Sequence, residues 1–160
     1  MYYSTIFRVI ALGIVSGMRG SSAPALLSAH YCQHPNRRLE KSSWAWVCSR
    51  SAAIGLGAMA AGEVVADKLP GIGDRIAPGG LIARGLSGAM AGAVLDKASG
   101  GKMPGAWWIG AVTAIGWTFA SFYGRKALSR RVPDRVVAVG EDILTYGLGA
   151  WAVSAGADRS

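Results

Sequence analysis

The chain has 160 residues, of which 51% are hydrophobic, 16% are charged and 23 are glycine. This length gives room for one domain, and the glycines follow no collagen-like period. The formal net charge of +8 does not indicate a nucleic-acid-binding protein, because the basic residues are scattered among several connecting segments.

Five apolar segments of near-spanning length follow one another along the chain. Their approximate bounds are 6–31, 44–66, 78–95, 104–124 and 133–155. Because a membrane-spanning helix needs about 20 mainly apolar residues, the sequence predicts an all-α, polytopic membrane helix bundle of about five Gly- and Ala-rich transmembrane helices. Residues 1–160 then form a single integral membrane domain, which we expect in a bacterial inner membrane. A soluble, alanine-rich helical protein is the alternative.

A break is predicted inside the first segment, where the chain reads Arg-Gly-Ser-Ser-Ala-Pro from Arg19 onward. Gly20 and Pro24 disfavour a helix interior, and Ser21 or Ser22 can cap a helix that starts again. A restarted helix presents free N–H groups and a positive dipole end, so with Arg19 beside it the site favours an anion. A simple kink whose arginine reaches the lipid headgroups is the alternative. The segment also loosely imitates a secretory signal peptide.

Ionisable residues interrupt the second and third segments. Glu63 and Asp67 are four residues apart and share one face of a helix, and Arg84 lies in the third segment. Charges in hydrocarbon are costly unless they are paired or hydrated, so such residues usually line a bundle interior or a water-filled path. We expect Glu63 and Arg19 to pair and to form the centre of a polar site. Purely structural ion pairs are the alternative.

The last segment carries Glu141 and Asp142 about a third of the way along. Either this segment spans the membrane with its acidic residues facing the bundle, or it lies flat in the interface. The apolar second half, which contains Leu148 and Trp151, favours the spanning arrangement. Glu141 therefore joins the candidate binding residues for a small solute or ion.

A basic cluster follows the fourth segment. Its members are Arg125, Lys126, Arg130, Arg131 and Arg135. Basic residues beside a span predict contact with anionic lipid headgroups. By the positive-inside rule, a small excess of basic residues favours a cytoplasmic amino terminus on the same side as this cluster, with Cys32 and Cys48 on the opposite side.

Small residues at four-residue spacing indicate close helix packing. The stripes are Gly13 with Gly17, Gly88 with Gly92, Ala106 with Gly110, and Gly116 with Ala120 and Gly124. Such stripes let helix backbones approach each other, either within the chain or between copies in a homo-oligomer. Faint similarity of the first two segments to the last two suggests an inverted repeat, with shared Gly-Ala composition as the alternative explanation.

Motifs of common enzymes are missing from this sequence. It contains no nucleophile elbow, phosphate-binding loop, Rossmann fingerprint or zinc-protease helix, so we predict no enzymatic activity, no cofactor and no metal site. The most metal-like group combines His30, Cys32 and His34 with Cys48, but its spacing fits no standard zinc pattern. We expect the two thiols to be reduced, with a disulfide as the alternative.

Several short motifs carry a family resemblance. They are Gly17-Met-Arg-Gly20 with Ala23-Pro24, Gly62-Glu63 with Asp67-Lys-Leu-Pro70, and Arg84 before Gly88-Ala and Gly92-Ala. Over nearly the whole chain, this pattern resembles the bacterial membrane family catalogued as domain of unknown function 4126. The resemblance implies a small integral membrane protein and brings no activity, substrate or site residue.

The sequence therefore favours a membrane protein that passes a small solute or ion through a polar site in the helix bundle. The alternative is a non-transporting scaffold or lipid-binding protein whose buried charges only fix the register of its helices. In both cases membrane lipids are the expected partners.

Overall fold

A computed structural model describes residues 2–66, 78–128 and 134–155. This part of the chain is helical and has no strand, so the all-α prediction is confirmed. The helices are α1 Tyr2–Met18, α2 Ser22–Gln33, α3 Arg37–Glu40, α4 Arg50–Ala66, α5 Pro78–Ser99, α6 Ala106–Leu128 and α7 Asp134–Ser154. A 3-10 turn, Ala45–Cys48, precedes α4.

Helices α1 and α2 form an antiparallel hairpin that turns at residues 19–21. Near its middle, the side chains of Val15 and Leu26 both lie against Gly149 of α7. At its open end, Arg8 lies beside Tyr31. The predicted break is therefore present. However, the prediction of one span over 6–31 is wrong, because the chain reverses at the break and does not merely bend.

Helix α1 lies at the centre of the bundle and contacts α5, α6 and α7. Glycines permit the close approach of α6 to both α1 and α5: a Cβ at Gly13 would lie 2.7 Å from the Cβ of Thr113. A Cβ at Gly88 would meet the Gly110 carbonyl oxygen, and one at Gly92 would meet a carbonyl oxygen of α6. These predicted small-residue stripes therefore serve packing within the chain.

The stripe that includes Gly116 and Gly124 differs from the others. A Cβ at either position would have open space around it. No packing within the described chain explains these two glycines, and a role of this stripe in a homo-oligomer stays a prediction.

The directions of the helices follow from their contacts. Gly13 faces Gly110 and Gly17 faces Ala114, so α1 and α6 run in the same direction. An inverted repeat that relates the first segment to the fourth requires opposite directions, and that prediction is therefore wrong. The hairpin reversal is the reason, since it adds one change of direction. It also places the start of α1 at the same end of the bundle as Cys32 and Cys48, against the prediction for the amino terminus. The two cysteines and Arg125 lie at opposite ends, as predicted.

Residues 36–50, which we call the cover segment, pack over the open end of the hairpin. Leu39 and Val47 of this segment are fully buried, and the Ser28 hydroxyl donates a hydrogen bond to the Val47 carbonyl at 2.7 Å. The second apolar segment, predicted to begin at residue 44, thus starts within the cover segment, and the helix itself begins at Arg50. Helix α4 then runs back along α2.

The bundle has a hydrophobic core, but it also exposes large apolar side chains and buries several polar ones. Large apolar side chains cover the outside, and Ile143 on α7 is 70% exposed. Polar residues such as Arg8, Ser16 and Thr118 are buried. Only α7, over Val136–Ser154, is long and apolar enough among the described helices to qualify as a membrane span by length and hydropathy.

Candidate functional site at the hairpin tip

The carboxylate of Glu63 binds the turn between α1 and α2. Its Oε1 accepts a hydrogen bond from the Gly20 N–H at 2.8 Å, and its Oε2 accepts one from the Ser21 N–H at 2.9 Å. The Ser21 hydroxyl also donates to Oε2. The first N–H groups of a helix have no partner inside the helix, and a carboxylate there also interacts favourably with the helix dipole. Glu63 therefore binds the N–H groups that we predicted from the sequence to bind a solute anion.

Arg19 pairs with Asp142 of α7. The predicted pair of Arg19 with Glu63 is therefore wrong. The Arg19 Nε lies 3.0 Å from the Asp142 Oδ1, and Nη2 binds the same oxygen. Arg19 is 7% exposed, whereas the Asp142 side chain is 33% exposed. The ion pair therefore ties the hairpin tip to α7.

Asp142 is the residue of the tip that sequence reasoning missed, and in the structure it lies on the buried face of α7. Thr145, Gly149 and Ala152 are buried on α7, and Asp142 precedes them by 3, 7 and 10 residues. This spacing places all four on one helical face. Sequence reasoning instead listed its neighbour Glu141, which lies on the adjacent face and accepts from Arg125 Nη1 at 3.4 Å.

Arg84 brings a second positive charge to the tip. It is 8% exposed, and its Cγ lies 3.5 Å from the position of a Cβ at Gly20. Its charge acts on Glu63. One helical turn away, the hydroxyls of Ser16 and Ser87 lie 3.1 Å apart and join α1 to α5. The tip therefore combines two arginines with two carboxylates, contributed by the hairpin, α4, α5 and α7.

The hairpin tip lies near the middle of the long helices. The Thr118 hydroxyl donates to the Gly17 carbonyl at 3.1 Å, which sets the level of the tip on α6. At about 1.5 Å per residue, α6 extends roughly 18 Å from Thr118 towards its start and roughly 15 Å towards its end. On α7, Asp142 lies roughly 12 Å from the first residue and 18 Å from the last. The charges at the tip are therefore level with the middle of α6 and α7, although Glu63 lies in the last described turn of α4 and Arg84 in the second turn of α5.

The other predicted site residues are distributed as follows. Ser22 is fully buried, and its hydroxyl has no hydrogen-bond partner among the residues that the structure describes. Lys126 is exposed near the end of α6. Asp67, Arg130 and Arg131 lie outside the described residues. The contact of Arg125 with Glu141 directs this member of the basic cluster towards the protein.

The histidine and cysteine group lies at the open end of the hairpin. The rings of His30 and His34 stack with their centroids 4.8 Å apart, and Cys32 and Cys48 are free thiols. Burial raises the pKa of the Cys48 thiol above its ordinary value. Within the described ranges, no three side chains of the metal-binding types form a cluster that could hold an ion.

Comparisons with protein-family models, curated proteins and solved structures find no match to this chain. The resemblance noted in the sequence therefore stays a prediction. The roles of the residues at the hairpin tip have to be argued from their geometry and chemistry.

Proposed function

We propose that this chain is a multi-pass protein of a bacterial inner membrane that passes a small ion through the polar site at the hairpin tip. The observation that carries the proposal is the position of the charges of Arg19, Glu63 and Arg84. They lie where α1 ends, in the last described turn of α4 and in the second turn of α5, at the level of the middle of α6 and α7, whose outer faces are apolar.

Membrane embedding is supported by the apolar exterior. Large exposed side chains lie on four helices: Ile54 and Met59 on α4, Ile82 and Leu86 on α5, Val112 and Phe119 on α6, and Val139 and Ile143 on α7. Soluble monomers rarely expose so much continuous apolar surface, whereas lipid tails favour it. Helix α6 is long enough to span a membrane, but its three tryptophans and three glycines lower its mean hydropathy. Tryptophan is nevertheless enriched at membrane interfaces, and glycine is frequent in membrane helices.

Passage of an ion is supported by the hairpin that ends inside the bundle. Helix α2 has 12 residues, a length of about 18 Å, which is too short for a hydrocarbon core of about 30 Å. Non-helical backbone at membrane depth is tolerated where it is buried in protein or lines a cavity. In transporters, such interrupted helices form the substrate sites.

Glu63 is the residue that we expect to control this path. While its carboxylate is ionised, it holds the N–H groups of Gly20 and Ser21. A proton on Glu63 removes the charge that strengthens these bonds. The freed N–H groups, together with Arg19 and Arg84, then provide a binding site for a small anion. Proton binding and anion binding are thus coupled at one carboxylate.

Glu63→Gln is expected to leave the fold intact and to abolish the pH dependence of ion flux, because glutamine keeps the shape but does not titrate. The assay uses purified protein in liposomes loaded with a chloride indicator or a pH indicator. For the wild type, we expect flux to rise as the pH falls. Glu40→Gln is the matched control, since Glu40 is an exposed glutamate of α3, and its flux should follow that of the wild type. Liposomes that contain folded wild-type protein and stay tight to anions, cations and protons would contradict ion passage.

A scaffold role is the second candidate, and the pairing of the charges favours it. Arg19 binds Asp142, Arg125 binds Glu141, and Glu63 binds the turn. In a scaffold protein, charges paired in this way fix the register of the helices and have no further role. Tight liposomes in the experiment above would support this candidate.

A further inference from the structure

The cover segment, residues 36–50, is attached to the open end of the hairpin by buried side chains and hydrogen bonds. Beyond the buried Leu39 and Val47, it is bonded to α5: the Asn36 amide and Arg38 Nη1 donate to the Ala98 carbonyl at 3.4 and 3.5 Å. Asn36 also caps α3, since its Oδ1 accepts from the Arg38 N–H at 3.0 Å. The segment is therefore anchored to α5 as well as to α2.

Those outward side chains are basic and aromatic. The exposed basic residues are Arg37, Arg38, Lys41 and Arg50, and Glu40 is the one acidic residue of the segment, so four positive charges minus one negative charge leave +3. Trp46 is 45% exposed, and its ring centroid lies 6.4 Å from that of Trp44, which is partly buried against the hydrophobic core.

Further exposed lysines and tryptophans lie at this end of the bundle. Arg38 Nη1 is 3.3 Å from the position of a Cβ at Gly100, which places the cover segment beside the connection between α5 and α6. The exposed Lys97 and Lys102 belong to that connection and to the end of α5. At the start of α6, the exposed rings of Trp107 and Trp108 stack with centroids 4.6 Å apart.

We infer that the cover segment binds the headgroups of anionic phospholipids in the membrane that surrounds the helices. Tryptophans collect at the headgroup level of a bilayer, and basic residues beside them attract anionic lipids. The segment leads directly into α4, which exposes Ile54 and Met59, and such neighbouring apolar side chains argue for lipid over a soluble polyanion. The inference rests on the proposed membrane embedding.

Photoactivatable lipids test the inference at the level of the segment. The full chain is reconstituted in vesicles of equal parts phosphatidylglycerol and phosphatidylcholine, with a trace of a photoactivatable analogue of one or the other. Mass spectrometry then counts lipid adducts on residues 36–50. We expect phosphatidylglycerol to label this segment at least about threefold more than phosphatidylcholine, since each basic residue near the surface contributes up to about fivefold in lipid affinity.

Charge removal provides the matched variants. Arg37→Gln, Lys41→Gln and Arg50→Gln together should bring the two lipids to nearly equal labelling. Lys41→Gln alone should lower the preference, whereas Ser43→Ala, which changes an exposed uncharged side chain of the same segment, should leave it unchanged. Equal labelling of the wild type by both lipids, or a preference that survives the triple change, would overturn the inference and leave the membrane proposal standing. A chain that does not insert into the vesicles would overturn both.

Discussion

Gly88→Ala and Gly110→Ala are each expected to destabilise the bundle by about 3 kcal/mol or more, the upper range for overpacking. A Cβ at Gly110 would lie on the Gly88 carbonyl oxygen, and one at Gly88 would lie 2.7 Å from the Cβ of Ala114. The obstacles include backbone atoms, so a change of rotamer cannot relieve the clash. Helices α5 and α6 would have to separate, with loss of packing along their whole contact. Thermal unfolding of the purified protein in detergent measures the loss.

Gly116→Ala is the matched control on α6. A Cβ at Gly116 has no neighbour within 4 Å, and alanine favours the helix over glycine by about 1 kcal/mol. We expect this variant to be as stable as the wild type or slightly more stable. Equal effects of Gly110→Ala and Gly116→Ala would show that α5 and α6 do not approach each other as closely as described.

Asp142→Ala is expected to lower the free energy of unfolding by about 3 kcal/mol, the lower end of the cost of removing one partner of a buried pair. The change leaves the guanidinium of Arg19 buried without this carboxylate. The partial exposure of Asp142 places the estimate at the low end, because solvent or headgroups screen part of the interaction.

A double-mutant cycle separates this pair from other effects of the two changes. Arg19→Ala combined with Asp142→Ala should cost clearly less than the sum of the single changes, because neither charge is left behind. Arg19→Ala with Glu40→Ala, which removes a distant exposed carboxylate, should be additive to within about 0.5 kcal/mol. Additivity of Arg19 and Asp142 would contradict the ion pair.

Much of the helical architecture could be predicted from the sequence, because local chemistry decides where helices start and stop. Pro78 is the first residue of α5, as its fixed φ and missing N–H predict. Gly20 correctly indicated the break, and Pro24 lies in the first turn of α2, where a missing N–H costs little. The predicted bounds of α6 and α7 also agree with the structure to within a few residues.

The reversal at the break could not be predicted, because local residues interrupt a helix without setting the direction in which the chain continues. That direction depends on contacts made far along the sequence, such as the packing of Leu26 against Gly149. The same applies to the partners at the tip. Composition identified Arg19 and Glu63 as buried charges, but only the packing of α7 brings Asp142 to Arg19.

The depth of the hairpin tip in a bilayer tests the central claim most directly, and a spin label at Ile143→Cys can measure it. Ile143 faces outward next to Asp142 and therefore reports the level of the tip without touching it. With Cys32 and Cys48 replaced by serine, labels at Trp46→Cys and Lys126→Cys mark the two ends of the bundle. We predict that the label at 143 collides with dissolved oxygen and is protected from a water-soluble nickel chelate, at a depth of roughly 10–15 Å below the nearer headgroups. Free access of the nickel chelate to residue 143, at the level seen at either end, would contradict a charged site inside the membrane.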